Sequence, residues 1–346
     1  MNKFKIGFWF LITVSIILPL LAIIIVERPP SELEYAMEEH AKLSGREIVP
    51  LPKKNDFNAT KAHIGKKLWF GDARCETCHT LTNDRPDVCF ELPATNCQTC
   101  HVAPTRGSGG DGLAQPTNNL YGRNTLSVWN SRFNIGYGWE GREFELSSFI
   151  GVHLRDLNIS TALKPQEASE VLSEYVKTLV ATDSRFDHYL RGETNALSAY
   201  EKKGYKVFKE RGCSVCHNGV NIGGNSFKIF GTYKLHKLND PFGWYALIGN
   251  TYEDENLRRI DQGMYPLTHR NGDKYRFRVA SLRNVEINRP YFTQGQVWEL
   301  SEAIRTMGRV QLGIDLPEED VHAIEAFLGT LTGKIPRIQP MSKDLP

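Results

Sequence analysis

The chain has almost no surplus of charge of either sign: 42 lysines and arginines stand against 40 aspartates and glutamates in 346 residues, a formal net charge of +2. A balance this close lacks the basic field that draws polyanions, which excludes nucleic acid as a partner. Unassigned cysteine is equally scarce. Six of the seven cysteines fall into three Cys-x-x-Cys-His pentapeptides, at 75–79, 97–101 and 213–217. Cys89 is left over and reads as a buried or free thiol. Disulfides and zinc sites also use cysteine, but neither requires a histidine directly after every second one.

That pentapeptide has a specific chemistry. Two thiols two residues apart add to the two vinyl groups of a haem, and the following imidazole ligates its iron. The sequence therefore predicts three covalently bound haem c groups, held by Cys75, Cys78 and His79, by Cys97, Cys100 and His101, and by Cys213, Cys216 and His217. Their propionates would make the loaded protein mildly acidic.

An uncharged apolar run from Ile6 to Val26 follows Lys3 and Lys5 and is long enough to cross a bilayer. It lacks the small-residue site at which a signal peptide is cut, closing instead on IIIVERPP. Residues 1–26 thus read as an uncleaved anchor in the inner membrane, with the lysines on the cytoplasmic side and everything after Glu27 in the periplasm. Haem attachment to c-type cytochromes takes place on that side.

Pro29, Pro30, Pro50 and Pro52 flank SELEYAMEEH, so residues 27–59 read as a periplasmic tether. Residues 60–193 form a segment with two haem motifs, 194–336 a segment with one, and 337–346 a tail. The coarse pattern is mainly α. ALSAYEKKGYKVFKERGC puts Tyr200, Tyr205 and Phe208 on one apolar side and leads into the third motif. LPEEDVHAIEAFLGTLTGK begins with Pro317 in a first helical turn, followed by Glu318 and Glu319. Its residues Val321, Ile324, Phe327, Leu328 and Leu331 share a face, which predicts a C-terminal helix packed near a haem. The Gly- and Asn-rich stretches NGVNIGGNSF and TRGSGGDGLAQPTNN read as haem-wrapping loops.

From His63 to Pro336 the ordered motifs IGKKLWF, NCQTCH, YGRNTLSVWN, GWEGREFEL, GCSVCH, FRVASLRNVEINRPYFTQG and FLGTLTGKIP resemble the bacterial dihaem cytochrome c peroxidase family. The resemblance implies two cytochrome c-like domains in tandem after the anchor. The first haem, on His101, would react with hydrogen peroxide, and the second, on His217, would store electrons. Met307, fourteen residues beyond Thr293, matches the distal ligand of the second haem, with Met264 as the fallback. A thioether ligand raises the reduction potential relative to a second imidazole. Trp139 matches the tryptophan between the haems. Asn124 matches the side-chain ligand of an interdomain calcium ion, with carbonyls from Asn288 and Pro290; oxygen donors suit that cation. Family members are commonly homodimers.

The spacing from His101 to the RNT segment fits the first family haem, which makes the motif ending at His79 an added one. An anchor plus an extra haem is similar to the membrane-anchored trihaem quinol peroxidases, so quinol or a small cytochrome c is the expected electron donor. His63, His40 and Met37 are candidate sixth ligands of the added haem.

The chain departs from the family around the reactive haem. The family's glutamine, proline and glutamate beyond the tryptophan are replaced by Phe149, His153 and Ile159, which leaves His153 and Asp156 to move protons between the peroxide oxygens. Thr293 replaces a histidine, and PTNNLYG lacks the histidine that caps the resting haem in some relatives. That implies a haem open without reductive activation. Two other readings stay open. One is a MauG-like oxidase that modifies residues of a partner protein, although those enzymes carry tyrosine where Met307 stands. The other is a trihaem electron-transfer cytochrome without enzymatic activity.

Overall fold

The computed structural model describes residues 47–54, 56–71, 73, 126–156, 158–231, 261–293 and 297–335. Among these the chain is mainly helical, with α1 Ala59–Phe70, α2 Leu146–Asp156, α3 Pro165–Thr178, α4 Arg185–Leu190, α5 Ala199–Glu210, α6 Tyr265–Thr268, α7 Leu300–Met307 and α8 Glu318–Gly329. One short antiparallel pair, β1 Phe227–Ile229 and β2 Arg276–Arg278, is the sheet, with Lys228 opposite Phe277. No described helix is long and apolar enough to cross a membrane, and the apolar run 6–26 lies outside the described residues.

Two helix pairs organise two cores. In the first, α1 crosses α3 at Gly65, where a Cβ would sit 1.9 Å from the Val171 carbonyl oxygen and 2.9 Å from the Tyr175 Cβ. Only a residue without a side chain lets the backbones meet so closely. Trp69, one turn on, packs edge-on to Tyr175 at 5.6 Å. In the second, α5 crosses α8 at Gly204, where a Cβ would sit 1.8 Å from the Ala323 carbonyl oxygen and 2.9 Å from the Phe327 Cβ. Phe208, again one turn on, packs against Phe327 at 5.2 Å. The first core gathers Leu68, Leu146, Leu154, Val171 and Leu172, and the second Val207, Ile222, Ile304, Val321 and Ile324.

Three sequence expectations change. Tyr200, expected on the apolar side of α5, is exposed, and that helix buries Gly204, Val207 and Phe208 instead. The expected division at 193/194 lies after α4, whereas Phe186 of α4 is already in the second core, 5.0 Å from Phe327 and 4.9 Å from Tyr205. The described end of the expected tether is docked: Gly219 N–H donates to Glu47 O (3.0 Å), Leu51 N–H to Asp187 Oδ1 (2.9 Å), and Arg191 Nη2 to Leu51 O (2.7 Å). Pro50 and Pro52 lie in an extended strap whose polar backbone is satisfied by the second core. The C-terminal helix forms as expected, with Pro317 as its N-cap and Val321, Ile324, Phe327 and Leu328 buried.

Asp187 is the centre of that docking. It is fully buried and takes a bidentate pair from Arg283 at 2.9 and 3.0 Å, with Ser184 Oγ donating at 2.7 Å. Burial alone would raise its pKa, but the Arg283 charge and these donors outweigh it and hold the carboxyl below its ordinary range. The NGVNIGGNSF loop closes the seam between the cores: Asn221 Nδ2 donates to Asn134 Oδ1 (2.8 Å), and Ile135 N–H to Gly224 O (2.8 Å).

Candidate haem site

Helix α5 delivers the third Cys-x-x-Cys-His motif. It starts on a capping box, in which Ser198 Oγ accepts from Glu201 N–H and Ser198 N–H donates to the Glu201 carboxylate (2.8 Å). It ends at Glu210, and Gly212, with a φ of +86°, turns the chain into a single 3-10 turn over Cys213–Val215. Neither cysteine is paired in a disulfide. Burial pushes the Cys213 thiol up to about 11. Val215, between the cysteines, is 73% exposed, so the motif lies at the protein surface with its thiols turned inward.

His217 is oriented from behind. Its Nδ1–H donates to the Ala280 carbonyl at 3.1 Å, which leaves Nε2 with a lone pair. Burial, opposed by hydrogen bonds to Ile222 and Ala280, takes its pKa down to about 4, so the imidazole is neutral, the form that binds a metal.

Cys213, Cys216 and His217 line one cavity of about 260 Å³, walled by apolar side chains of α7, α8 and β2. Met307, the last residue of α7, lines it too, where the helix passes into a π turn over Gly308–Leu312. Met264 is buried away from it, at the start of α6. Two thiols, a neutral imidazole with its second nitrogen anchored, and a thioether on an apolar wall are the donor set that a covalent haem requires. The residues fit the group.

Trp139 lines the same cavity. Its carbonyl accepts from Arg278 N–H (2.8 Å), and its ring packs with Phe277 and Val310. Asn288, Pro290 and Thr293 also line it. Asn288 Oδ1 is buried with no hydrogen-bond partner among the described residues, a leftover oxygen donor of the kind a hard cation takes. Asn124, expected to complete a calcium site, lies outside the described residues.

His153 and Asp156 share α2 but differ. His153 stacks on Phe149 (5.9 Å), which stacks on Tyr137 (5.7 Å), and burial lowers its pKa with Asp156 opposing. Asp156 is ion-paired to Arg142 at 2.5 Å. Neither lines the cavity of His217. His63 is exposed on α1. Cys75, Cys78, His79, Cys97, Cys100, His101, Cys89, His40 and Met37 lie outside the described residues.

Sequence reasoning missed Arg278 and the Asp187–Arg283 pair. The signal for the first was present: an arginine between Phe277 and Val279 in a segment whose neighbours are buried. The second joins residues 96 apart in the chain and left no local trace.

No protein-family model matches the sequence. The chain is 34% identical over 311 residues to the cytochrome c551 peroxidase of Pseudomonas aeruginosa, covering 80% of each protein. To the cytochrome c peroxidase Ccp of Escherichia coli it is 30% identical over 314 residues, covering 83% of this chain and 61% of that one. Its fold is similar to the crystal structure of a MauG-like protein associated with microbial copper homeostasis, with a TM-score of 0.56 at 21% identity over 84% of this chain and 94% of that one.

Proposed function

Because this chain belongs to the bacterial dihaem cytochrome c peroxidase family, and is an oxidoreductase of the cytochrome c peroxidase type, we propose that it reduces hydrogen peroxide to water at the haem site of Cys97, Cys100 and His101. The observation that carries this reading is 34% identity to a cytochrome c551 peroxidase along four-fifths of both chains. Bound haem supplies an iron at which the O–O bond is split, two electrons and two protons turning one peroxide into two waters.

The chain's own residues divide the work. His217, its Nδ1 fixed by Ala280, and Met307, on the wall of the same cavity, would hold the second haem. A neutral imidazole and a thioether favour the reduced iron, so this site keeps an electron ready. The apolar walls of α7 and α8 exclude water and help keep the potential high. Trp139, on the wall of that cavity with its carbonyl on the Arg278 N–H, takes the role of passing electrons toward the first site on this reading. His153 accepts a proton from one peroxide oxygen and returns it to the other; it is favoured over Asp156, whose carboxylate is held by Arg142.

The motif at 75–79 adds a third haem, through which electrons from quinol or a small cytochrome c arrive. Residues 1–26 anchor the protein to the inner membrane, facing the periplasm. Asn124, Asn288 and Pro290 hold calcium between the two haem regions. The test is peroxide consumption by the purified, reduced protein supplied with quinol or a small cytochrome c. Turnover well above that of free haem is expected; turnover no faster than free haem contradicts the proposal.

A further inference from the structure

Two buried arginines line the haem cavity, and they are held in different ways. Arg283 is fully engaged: both terminal nitrogens reach Asp187, and Nε donates to Val220 O at 2.6 Å. Arg278 is 6% exposed and forms no ion pair with a carboxylate among the described residues. Its backbone N–H donates to Trp139 O (2.8 Å) and its Nε to Gly138 O (3.3 Å), while its terminal nitrogens donate to no described residue. Burial, with Tyr137 and Glu140 opposing, takes its pKa down to about 10, which still leaves it a cation at neutral pH.

A buried guanidinium without a counter-ion is unstable, because desolvation is not offset by a partner. The partner that matches its planar fork is a carboxylate or phosphate taken up by two parallel hydrogen bonds. The cavity it lines is otherwise apolar and ends in two haem-attaching thiols. Haem is the group expected there, and it brings carboxylates with it.

We infer that Arg278 holds a propionate carboxylate of the haem attached at Cys213 and Cys216, and that its backbone bond to the Trp139 carbonyl ties this grip to the segment carrying Trp139. Arg278 is a positioning residue on this account. It keeps a positive charge beside the iron that stores the electron, and it fixes the tryptophan segment to the same cofactor. The inference rests on the reading of 213–217 as a haem site.

The test uses the loaded full-length protein as wild type, Arg278→Gln and Arg278→Lys. Peptide mass spectrometry first asks whether haem is attached to Cys213 and Cys216; its absence from the wild type would sink the haem site itself. With haem attached, the propionate-bending band in the variant-minus-wild-type resonance Raman spectrum and the reduction potential of each haem are read. In R278Q the band should move to its weakly hydrogen-bonded position and one haem potential should fall, since a cation has been lost near one iron. In R278K the potential should return toward wild type while the band stays shifted, because an ammonium keeps the charge without the fork. Wild-type band and potentials in R278Q would overturn the inference. If R278Q fails to mature, R278K decides alone: an unchanged band overturns the two-pronged grip.

Discussion

The two helix pairs are built to one plan. Gly65 of α1 lies under Val171 and Tyr175 of α3, and Gly204 of α5 lies under Ala323 and Phe327 of α8, with the touched residues four apart in each case. Three residues after each glycine comes a buried aliphatic, Leu68 or Val207, and four after it a buried aromatic, Trp69 or Phe208. The pairs differ in the chain beyond the aromatic. Cys213 comes nine residues after Gly204, while after Gly65 there are two motifs, starting at Cys75 and Cys97. The repeat shows one way of crossing two helices used twice, and the halves differ in sequence in the segment that follows the crossing.

The sharpest way to break this comparison is to remove one iron ligand at a time in the first half. His101→Gly should reduce peroxide turnover to the level of free haem, whereas His79→Gly should slow only electron supply, so that single-turnover peroxide reduction by pre-reduced protein survives. The opposite pattern in stopped-flow kinetics would hand the reactive role to the motif starting at Cys75. Next comes the stored electron. Met307→His should lower the potential of the second haem in spectroelectrochemical titration, since bis-histidine ligation favours the oxidised iron.

The buried pair that pins the strap to the second core gives the largest stability effect. Asp187→Ala strands Arg283 and should cost about 3–5 kcal/mol in denaturant unfolding of the loaded protein. The folded pKa of Asp187 lies below its unfolded value, so its contribution is complete above the unfolded value of about 3.9 and is lost as pH falls through the folded one. The wild-type advantage over D187A should therefore shrink below about pH 4. Gly65→Ala and Gly204→Ala should each cost about 3 kcal/mol, since a methyl group would overlap a carbonyl on the facing helix. Similar losses support one plan for both crossings, and a much smaller loss at either breaks it. The smallest effect is at the caps: Asn58→Ala and Ser198→Ala should each cost about 1 kcal/mol by thermal unfolding.

How much of the fold and the site was legible depended on whether the signal was local. The haem motif at 213–217 and the amphipathic face of α8 are local patterns, and the structure buries Val321, Ile324, Phe327 and Leu328 of that face together. Gly65 and Gly204 were not legible as packing centres, because a hydrophobic stripe is read from side chains and the contact is made where one is missing. Tyr200 was misread for the same reason: the buried side of α5 is centred on Gly204. The strap looked like a tether because its prolines suit an extended chain, and its anchors, Asp187, Arg191 and Gly219, are more than a hundred residues away. Arg278 sits in the motif FRVASLRNVEINRPYFTQG, yet its solitude is visible only once the surrounding carboxylates are located.

The most direct test of the central claim is the spin state of every iron in the oxidised protein before and after one equivalent of peroxide, read by electron paramagnetic resonance. A chain whose first half does the chemistry and whose second half stores the electron should show one high-spin ferric iron that peroxide changes and low-spin irons elsewhere. Three low-spin irons indifferent to peroxide would contradict it.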